Sequence, residues 1–309
     1  MANILIIGGA GFIGSNLVKS LINCHNVYIY DIPNANTARL ESYLDRIFIY
    51  HGQLSQYDYL CNILEENSID IVIHLVSGLL PCSNIDSYLE EYSTVIYPTI
   101  KLLPYLSKKK VKFIFFSSGG TIYGLNHSLH IKETEKSSPI CYYGLSKQVL
   151  EDSVHFEHRF SGLEYLIIRP SNPYGPGQNV YGKQGLIAVS IGKILNHEKI
   201  TIWGDGSVVR DYIYIDDLSY AMAELIRLNV NNEIFNIGSG MGHSVNEIIQ
   251  EIQRSVDDDF EVEYTSGRNV DLPFLVLNIS KLKSVIQFSP VSIKKGIVLF
   301  KKHQIENNE

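Results

Sequence analysis

Short, almost unbroken apolar runs alternate with amphipathic stretches along the first half of the chain. Asn3–Ile7, Asn26–Tyr30, Ile47–Tyr50, Ile69–Leu75, Lys112–Ser117 and Glu164–Arg169 read as strands. A run such as Ile71-Val72-Ile73-His74-Leu75 has no polar alternation, which suits a parallel strand covered on both faces. Ile13–Ile22 and Gly144–Phe160 carry helical periodicity, and a helix is expected over Ser83–Lys108, made irregular by Pro98 and Pro104. Strand–helix alternation implies right-handed crossovers and an α/β fold with a doubly wound parallel sheet. After Pro170 the rhythm changes. Prolines and glycines cluster over Pro170–Gly177, and helix, short strand and turn signals then interleave without a strict βαβ order. The pattern predicts a first domain over 1–170 and a smaller α/β domain over 171–309, with 210–236 able to return to the first.

Composition narrows the class. A chain of 309 residues with 45% hydrophobic and 19% charged positions is ordinary for a globular protein. The net charge of −7 argues against nucleic acid or an acidic membrane as partner. Cys24, Cys61, Cys82 and Cys141 have neither CxxC nor Cys/His spacing, so no metal and no disulfide is expected. An apolar strand follows Met1-Ala2 directly and no run is long enough for a membrane span, so the expected setting is cytoplasmic, without a signal peptide. The polar tail from Lys301 is expected to fray.

Two motifs carry chemistry. Gly8-Gly9-Ala10-Gly11-Phe12-Ile13-Gly14 closes the first strand and opens the first helix. Gly8, Gly11 and Gly14 permit a tight turn, backbone approach to a pyrophosphate and close helix–strand packing, while the helix N-terminus offers free N–H groups. This is the dinucleotide signature of a Rossmann domain. Asp31 ends the second strand, where its carboxylate suits a ribose diol and repels a 2′-phosphate, so NAD is favoured; nearby Arg39 keeps NADP open. The second motif is Tyr143-Gly144-Leu145-Ser146-Lys147, with a phenol and an ammonium one helical turn apart. A phenol titrating near 10 works as a general acid/base at neutrality only if positive charge favours the phenolate, and Lys147 is placed to help.

Taken with His74-Leu75-Val76-Ser77, Ser117–Gly124, Arg169–Gly177, Trp203-Gly204-Asp205-Gly206, Val209–Tyr212, Phe235–Gly238 and Arg268…Asp271, these motifs resemble the extended short-chain dehydrogenase/reductase family, in its UDP-glucose 4-epimerase-like branch. The resemblance implies NAD held by Gly8, Gly11, Phe12, Ile13, Gly14, Asp31, Gln53, Leu54, Leu75, Tyr143, Lys147 and Pro170. It implies proton transfer by Tyr143, with Lys147 orienting the nicotinamide ribose. A nucleotide sugar would be held by Thr121, Asn172, Gly185, Leu186, Trp203, Arg210, Arg268 and Asp271, and two arginines supply forked donors for a diphosphate. Core packing is the competing reading of Trp203, the only tryptophan. A homodimer through the Ser83–Lys108 and Gly144–Phe160 helices is implied too, with a surface-polysaccharide pathway such as O-antigen synthesis as the setting by analogy alone.

Three departures from the family pattern matter. The hydroxyl residue expected four positions before Tyr123 is Gly119, so Ser118 or Thr121 must supply that hydrogen bond, with Thr121 preferred on the sugar side. The Asn of Asn-x-x-Gly-Thr is Val95, and the Asp of Gly-Asp-Leu is Gln53. Gly119, Gly120 and Thr121 offer no extra acid/base, which argues against dehydration and decarboxylation. Epimerisation at C4 through a transient 4-keto sugar is the leading expectation. Net reduction of a dTDP-4-keto-6-deoxy sugar is the alternative, and a non-catalytic NAD-binding protein a second one.

Overall fold

β-Branched and aromatic side chains fill the apolar runs, and they pack well on a pleated surface, so each run becomes a strand. The computed structural model describes residues 1–125, 128–182, 184–255, 260–266 and 272–306. The first half contains β1 (Asn3–Ile7), α1 (Phe12–Leu21), β2 (Asn26–Asp31), β3 (Ile47–His51), α2 (Tyr57–Glu66), β4 (Ile71–His74), α3 (Ile85–Glu91), α4 (Tyr97–Lys109), β5 (Lys112–Phe116), α5 (Tyr142–Ser161) and β6 (Tyr165–Pro170). The second half contains β7 (Asn172–Tyr174), α6 (Leu186–Leu195), β8 (Ile200–Trp203), β9 (Val209–Tyr214), α7 (Ile215–Arg227), β10 (Glu233–Ile237), β11 (Gly242–Ser244), α8 (Val245–Ser255), β12 (Val262–Thr265), β13 (Phe274–Leu275), α9 (Ser280–Val285) and α10 (Ile293–Glu306). The segment Lys301–Glu306, expected to fray, instead continues α10.

A seven-stranded sheet runs in the order β10-β6-β5-β4-β1-β2-β3. Every pairing from β3 across to β6 is parallel. One core cluster joins Leu5, Tyr30, Val72, Phe113 and Ile167 of the sheet to Leu60, Leu102, Leu106 and Leu150 of α2, α4 and α5. The alternate positions Ile4, Ile6, Ile29, Ile73, Ile114 and Leu166 are buried as well, so both sheet faces are covered and the doubly wound fold is realised. From β1 the chain works outward through β2 and β3, then returns to β4 on the other side of β1. The carboxyl ends of β1 and β4 thus form the topological switch point at which such sheets bind ligands.

The Ser83–Lys108 helix is interrupted. Between α3 and α4 lies a π-helical segment, Tyr92–Ile96, and Pro98 falls at the start of α4, where its missing N–H is tolerated. Pro104 sits inside α4.

The chain divides into two compact units. The first comprises Met1–Gly124, Ser137–Arg169 and Met222–Phe235; the second comprises Leu125–Lys136, Pro170–Ala221 and Asn236–Glu309. A single cut at Pro170 therefore misplaces two segments. Leu125–Lys136 joins the second unit because Ile131 exchanges backbone hydrogen bonds with Val276 and Asn278, at 2.9 and 2.8 Å. Residues 222–235 join the first, where the Asn232 N–H donates to the Tyr165 carbonyl at 2.6 Å, whereas 210–221 stay in the second. The second unit has its own core, built on Ile187, Ile191, Ile202, Tyr214, Ile248 and Phe300. Its strands form the sheet β11-β9-β13 with β7 against β9, and the pair β8-β12.

Candidate active site

The glycine turn sits on the switch point. Gly8 has φ +82°, which L side chains rarely adopt, and its N–H donates to the Tyr30 carbonyl at 2.9 Å. A methyl group on Gly14 would lie 2.6 Å from both the Cα and the carbonyl oxygen of Gly9, so only glycine lets α1 start this close to the turn. Gly11 is the N-cap of α1 and no side chain caps the helix, so the first-turn N–H groups of Phe12, Ile13 and Gly14 face outward with the positive end of the helix.

Asp31 is bonded on both oxygens. Oδ2 accepts the Ala10 N–H at 2.9 Å and Oδ1 accepts the Ile32 N–H at 2.9 Å. An ionised carboxylate has about four acceptor sites, so two remain for a ribose diol. Gln53 and Leu54 follow β3: the Gln53 N–H donates to Gln56 Oε1 at 2.7 Å, its carbonyl accepts the Tyr30 hydroxyl at 2.9 Å, and Leu54 is buried. Leu75 follows β4, with its N–H on the Ile7 carbonyl at 3.0 Å. Pro170 is the buried last residue of β6.

Tyr143 and Lys147 lie on the first two turns of α5, and the Lys147 ammonium is 5.5 Å from the Tyr143 ring centroid and 5.1 Å from that of Phe115. The helix starts here because Gly144 lets it meet the Ser118–Gly124 loop: a Cβ at this position would be 2.7 Å from the Thr121 carbonyl oxygen. Burial pushes the Tyr143 phenol up to about 12, against a hydrogen bond from Ser118 that lowers it, with Glu91 adding to the rise. Burial pulls Lys147 down to about 8, opposed by Glu91 and Glu151. His74 at the end of β4 is buried and driven to about 3 by desolvation and by Lys147, so it stays neutral; its Nε2 meets the Thr99 hydroxyl at 3.0 Å.

Of the two hydroxyls offered in place of the one lost at Gly119, Ser118 is the one that lowers the Tyr143 phenol. The Thr121 Oγ1 is buried without a hydrogen-bond partner, as is that of Ser117. The orphaned Ser117 hydroxyl, the buried ammonium and the uncapped α1 N-terminus are what a bound dinucleotide would satisfy, so the residues present fit NAD.

Residues with no evident signature complete this face of the first unit. Arg169 grips Glu151 through Nε and Nη2, at 3.0 and 2.6 Å, and donates from Nη1 to the Tyr123 hydroxyl at 2.9 Å, tying the strand end, α5 and the Ser118–Gly124 loop together. Only the position of Glu151 one turn beyond Lys147 hints at this. Glu91, only 4% exposed, accepts from the Ser77 hydroxyl at 2.7 Å and the Gly78 N–H at 2.8 Å.

In the second unit, Asn172, Gly185 and Leu186 come together with Pro173, Tyr174, Ile187 and Tyr212 around a cavity of about 160 Å³. The Asn172 amide donates to the Asp211 carbonyl at 2.7 Å. One Arg210 guanidinium nitrogen donates to the carbonyls of Val209 and Leu272, at 2.9 and 2.5 Å. Asp211, fully buried, accepts from the backbone N–H groups of Ser239, Gly240 and Leu277 and so anchors two loops. Trp203 is 49% exposed at the end of β8, which answers the core-packing alternative. Arg268 and Asp271 lie outside the described residues.

A doubly wound sheet with a glycine turn at its switch point and a Tyr-x-x-x-Lys helix beside it defines the class of dinucleotide-dependent oxidoreductase-like enzymes. Residues 4–238 match the NAD dependent epimerase/dehydratase family, and the chain belongs to it. The UDP-glucose 4-epimerase of Thermotoga maritima, solved with UDP-glucose, superposes with a TM-score of 0.92 at 33% identity, covering 99% of this chain and 100% of that one. Among curated relatives, the Escherichia coli dTDP-4-dehydro-6-deoxyglucose reductase is 29% identical, with 94% of this chain and 93% of the relative covered. The UDP-glucose 4-epimerase of Halalkalibacterium halodurans is also 29% identical, over 93% of this chain and 90% of the relative.

Proposed function

We propose that this protein is an NAD-dependent nucleotide-sugar 4-epimerase of the UDP-hexose type. The observation that carries the reading is the Tyr143–Lys147 pair, with Ser118 on the phenol, beside a glycine turn built for a dinucleotide. When bound, NAD supplies the acceptor and donor of a hydride. Tyr143 takes the proton of the sugar hydroxyl and later returns it, and Ser118 steadies the phenol during both transfers. Lys147 favours the phenolate by its charge and holds the nicotinamide ribose. Gly8, Gly11, Phe12, Ile13 and Gly14 cradle the pyrophosphate, Asp31 takes the adenosine ribose diol, and Gln53, Leu54, Leu75 and Pro170 flank the cofactor. Thr121 meets the sugar. Asn172, Gly185, Leu186, Trp203 and Arg210 hold the nucleoside diphosphate, together with Arg268 and Asp271.

The first unit, which holds most of 1–170, acts as the cofactor domain and the second, which holds most of 171–309, as the nucleotide-sugar domain. The protein works in the cytoplasm as a homodimer, in a surface-polysaccharide pathway such as O-antigen synthesis. Support for the dimer comes from exposed apolar side chains on the helices in question, Leu89, Tyr97, Leu145, Phe156 and Phe160. No helix among the described residues is long and apolar enough to cross a membrane.

The test is turnover of UDP-glucose and UDP-N-acetylglucosamine by purified protein with catalytic NAD. Conversion to the 4-epimer with no net NADH formed is expected. Stoichiometric NAD(P)H oxidation on a dTDP-4-keto-6-deoxy sugar, without epimerisation, would overturn the reading in favour of the reductase that the Escherichia coli relative represents.

A further inference from the structure

Glu91 is a buried carboxylate at the end of α3, next to the π-helical segment Tyr92–Ile96. It bonds the Ser77 hydroxyl and the Gly78 N–H, in the turn that leaves β4 at the switch point. Two carboxylates act through their charge on the buried Lys147 ammonium, Glu91 from α3 and Glu151 from α5 itself. Glu151 is already committed to Arg169 through a bidentate pair, with both side chains almost fully buried. Glu91 is therefore the carboxylate left to balance Lys147. Capping Ser77 and Gly78 needs only a neutral acceptor, and burying a charge for that purpose alone would cost several kcal/mol for no gain.

We propose that Glu91 is a positioning residue of this site, which fixes the Ser77–Gly78 turn and supplies the negative charge that balances the Tyr143–Lys147 pair. The inference rests on the epimerase reading, in which one tyrosine must both take and return a proton. A phenol surrounded only by cations would give its proton up readily and take it back poorly. The groups that act electrostatically on Tyr143 are Glu91, Cys141 and Ser118, and those coupled to Lys147 are Glu91, Glu151 and His74. Glu91 is common to both lists. Its charge raises both groups, so removing it lowers both.

The test compares Glu91→Gln with Ser77→Ala in the intact protein. The amide keeps an acceptor for the turn and removes the charge, whereas the alanine removes one hydrogen bond and keeps the charge. Glu91→Gln is expected to move both limbs of the kcat–pH profile down by about one pH unit, with KM changed less than twofold. Ser77→Ala should leave the limbs in place. A profile reduced in height but not displaced in Glu91→Gln would overturn the proposal and leave a purely structural cap. Should the protein turn over no UDP-sugar, the same comparison is made without catalysis, from the near-ultraviolet phenolate absorbance of each protein minus that of its Tyr143→Phe form. A Tyr143 titration unmoved by Glu91→Gln then overturns the proposal independently of the substrate.

Discussion

Tyr143 offers the sharpest check at the scale of single residues. Tyr143→Phe keeps the ring and loses the proton, so turnover should fall by roughly 10²–10⁴-fold, the worth of a positioned general acid/base, with nucleotide-sugar binding retained by calorimetry. Restoring the family's hydroxyl with Gly119→Ser should be tolerated, and Thr121→Val should slow turnover if its orphaned hydroxyl meets the sugar. Lys147 makes a different point. Its value near 8 in the fold lies below the 10.5 of the unfolded chain, so between those values the unfolded state binds more protons and stability rises with pH. Below that window the buried ammonium is a standing cost. Lys147→Met removes that cost but leaves the buried Glu91 carboxylate without its ammonium, so turnover should be abolished and the melting temperature at pH 7 should fall; an unchanged or higher melting temperature would contradict the charge balance. Tyr143 and Lys147 were legible because their spacing becomes specific beside a glycine turn. Glu91 was not, since nothing in Leu89-Glu90-Glu91-Tyr92 tells which glutamate points inward once a widened turn breaks the 3.6-residue period.

Among elements, the six strands of the first half were legible within a residue or two, because a parallel strand covered on both faces leaves an unbroken apolar run, whereas the short strands after Pro170 were not individually legible. The helix expected over Ser83–Lys108 shows what periodicity misses. A π segment ahead of Pro98 absorbs the proline at no cost to the helix that follows, and no residue pattern announces it. Pro104 is different, being exposed inside α4, where it removes the N–H that would reach Ile100. Pro104→Ala should stabilise the protein by about 2 kcal/mol, the helix-propensity gain less the added freedom of the unfolded chain; a chemical-denaturation midpoint that falls would refute it. The glycine turn predicts the opposite sign. Gly14→Ala forces a methyl group against Gly9 backbone and should cost about 1–3 kcal/mol, together with NAD binding measured by fluorescence titration.

For the molecule as a whole, the break in texture at Pro170 was visible, but the return of 222–235 to the first unit could only be suspected. The pairing that decides it, Asn232 with Tyr165, spans 67 residues of chain and leaves no local mark. Cofactor preference belongs to this scale too: NAD should bind in preference to NADP, and Asp31→Asn should narrow the difference, whereas equal affinities in the unaltered protein would contradict the role given to Asp31. Sedimentation at micromolar concentration should show a dimer; a monomer alone would remove that part of the proposal. The late arrival of β10 also bears on how the protein is made. As the chain leaves the ribosome, β6, with Leu166, Ile167 and Ile168, is finished long before Glu233–Ile237 exists to cover its outer edge. Through that interval the nascent sheet exposes a bare apolar strand edge, the kind that pairs with other chains. A chain released early, at Pro170, should accordingly be recovered as aggregate or bound to chaperone, while the full 309-residue chain should not.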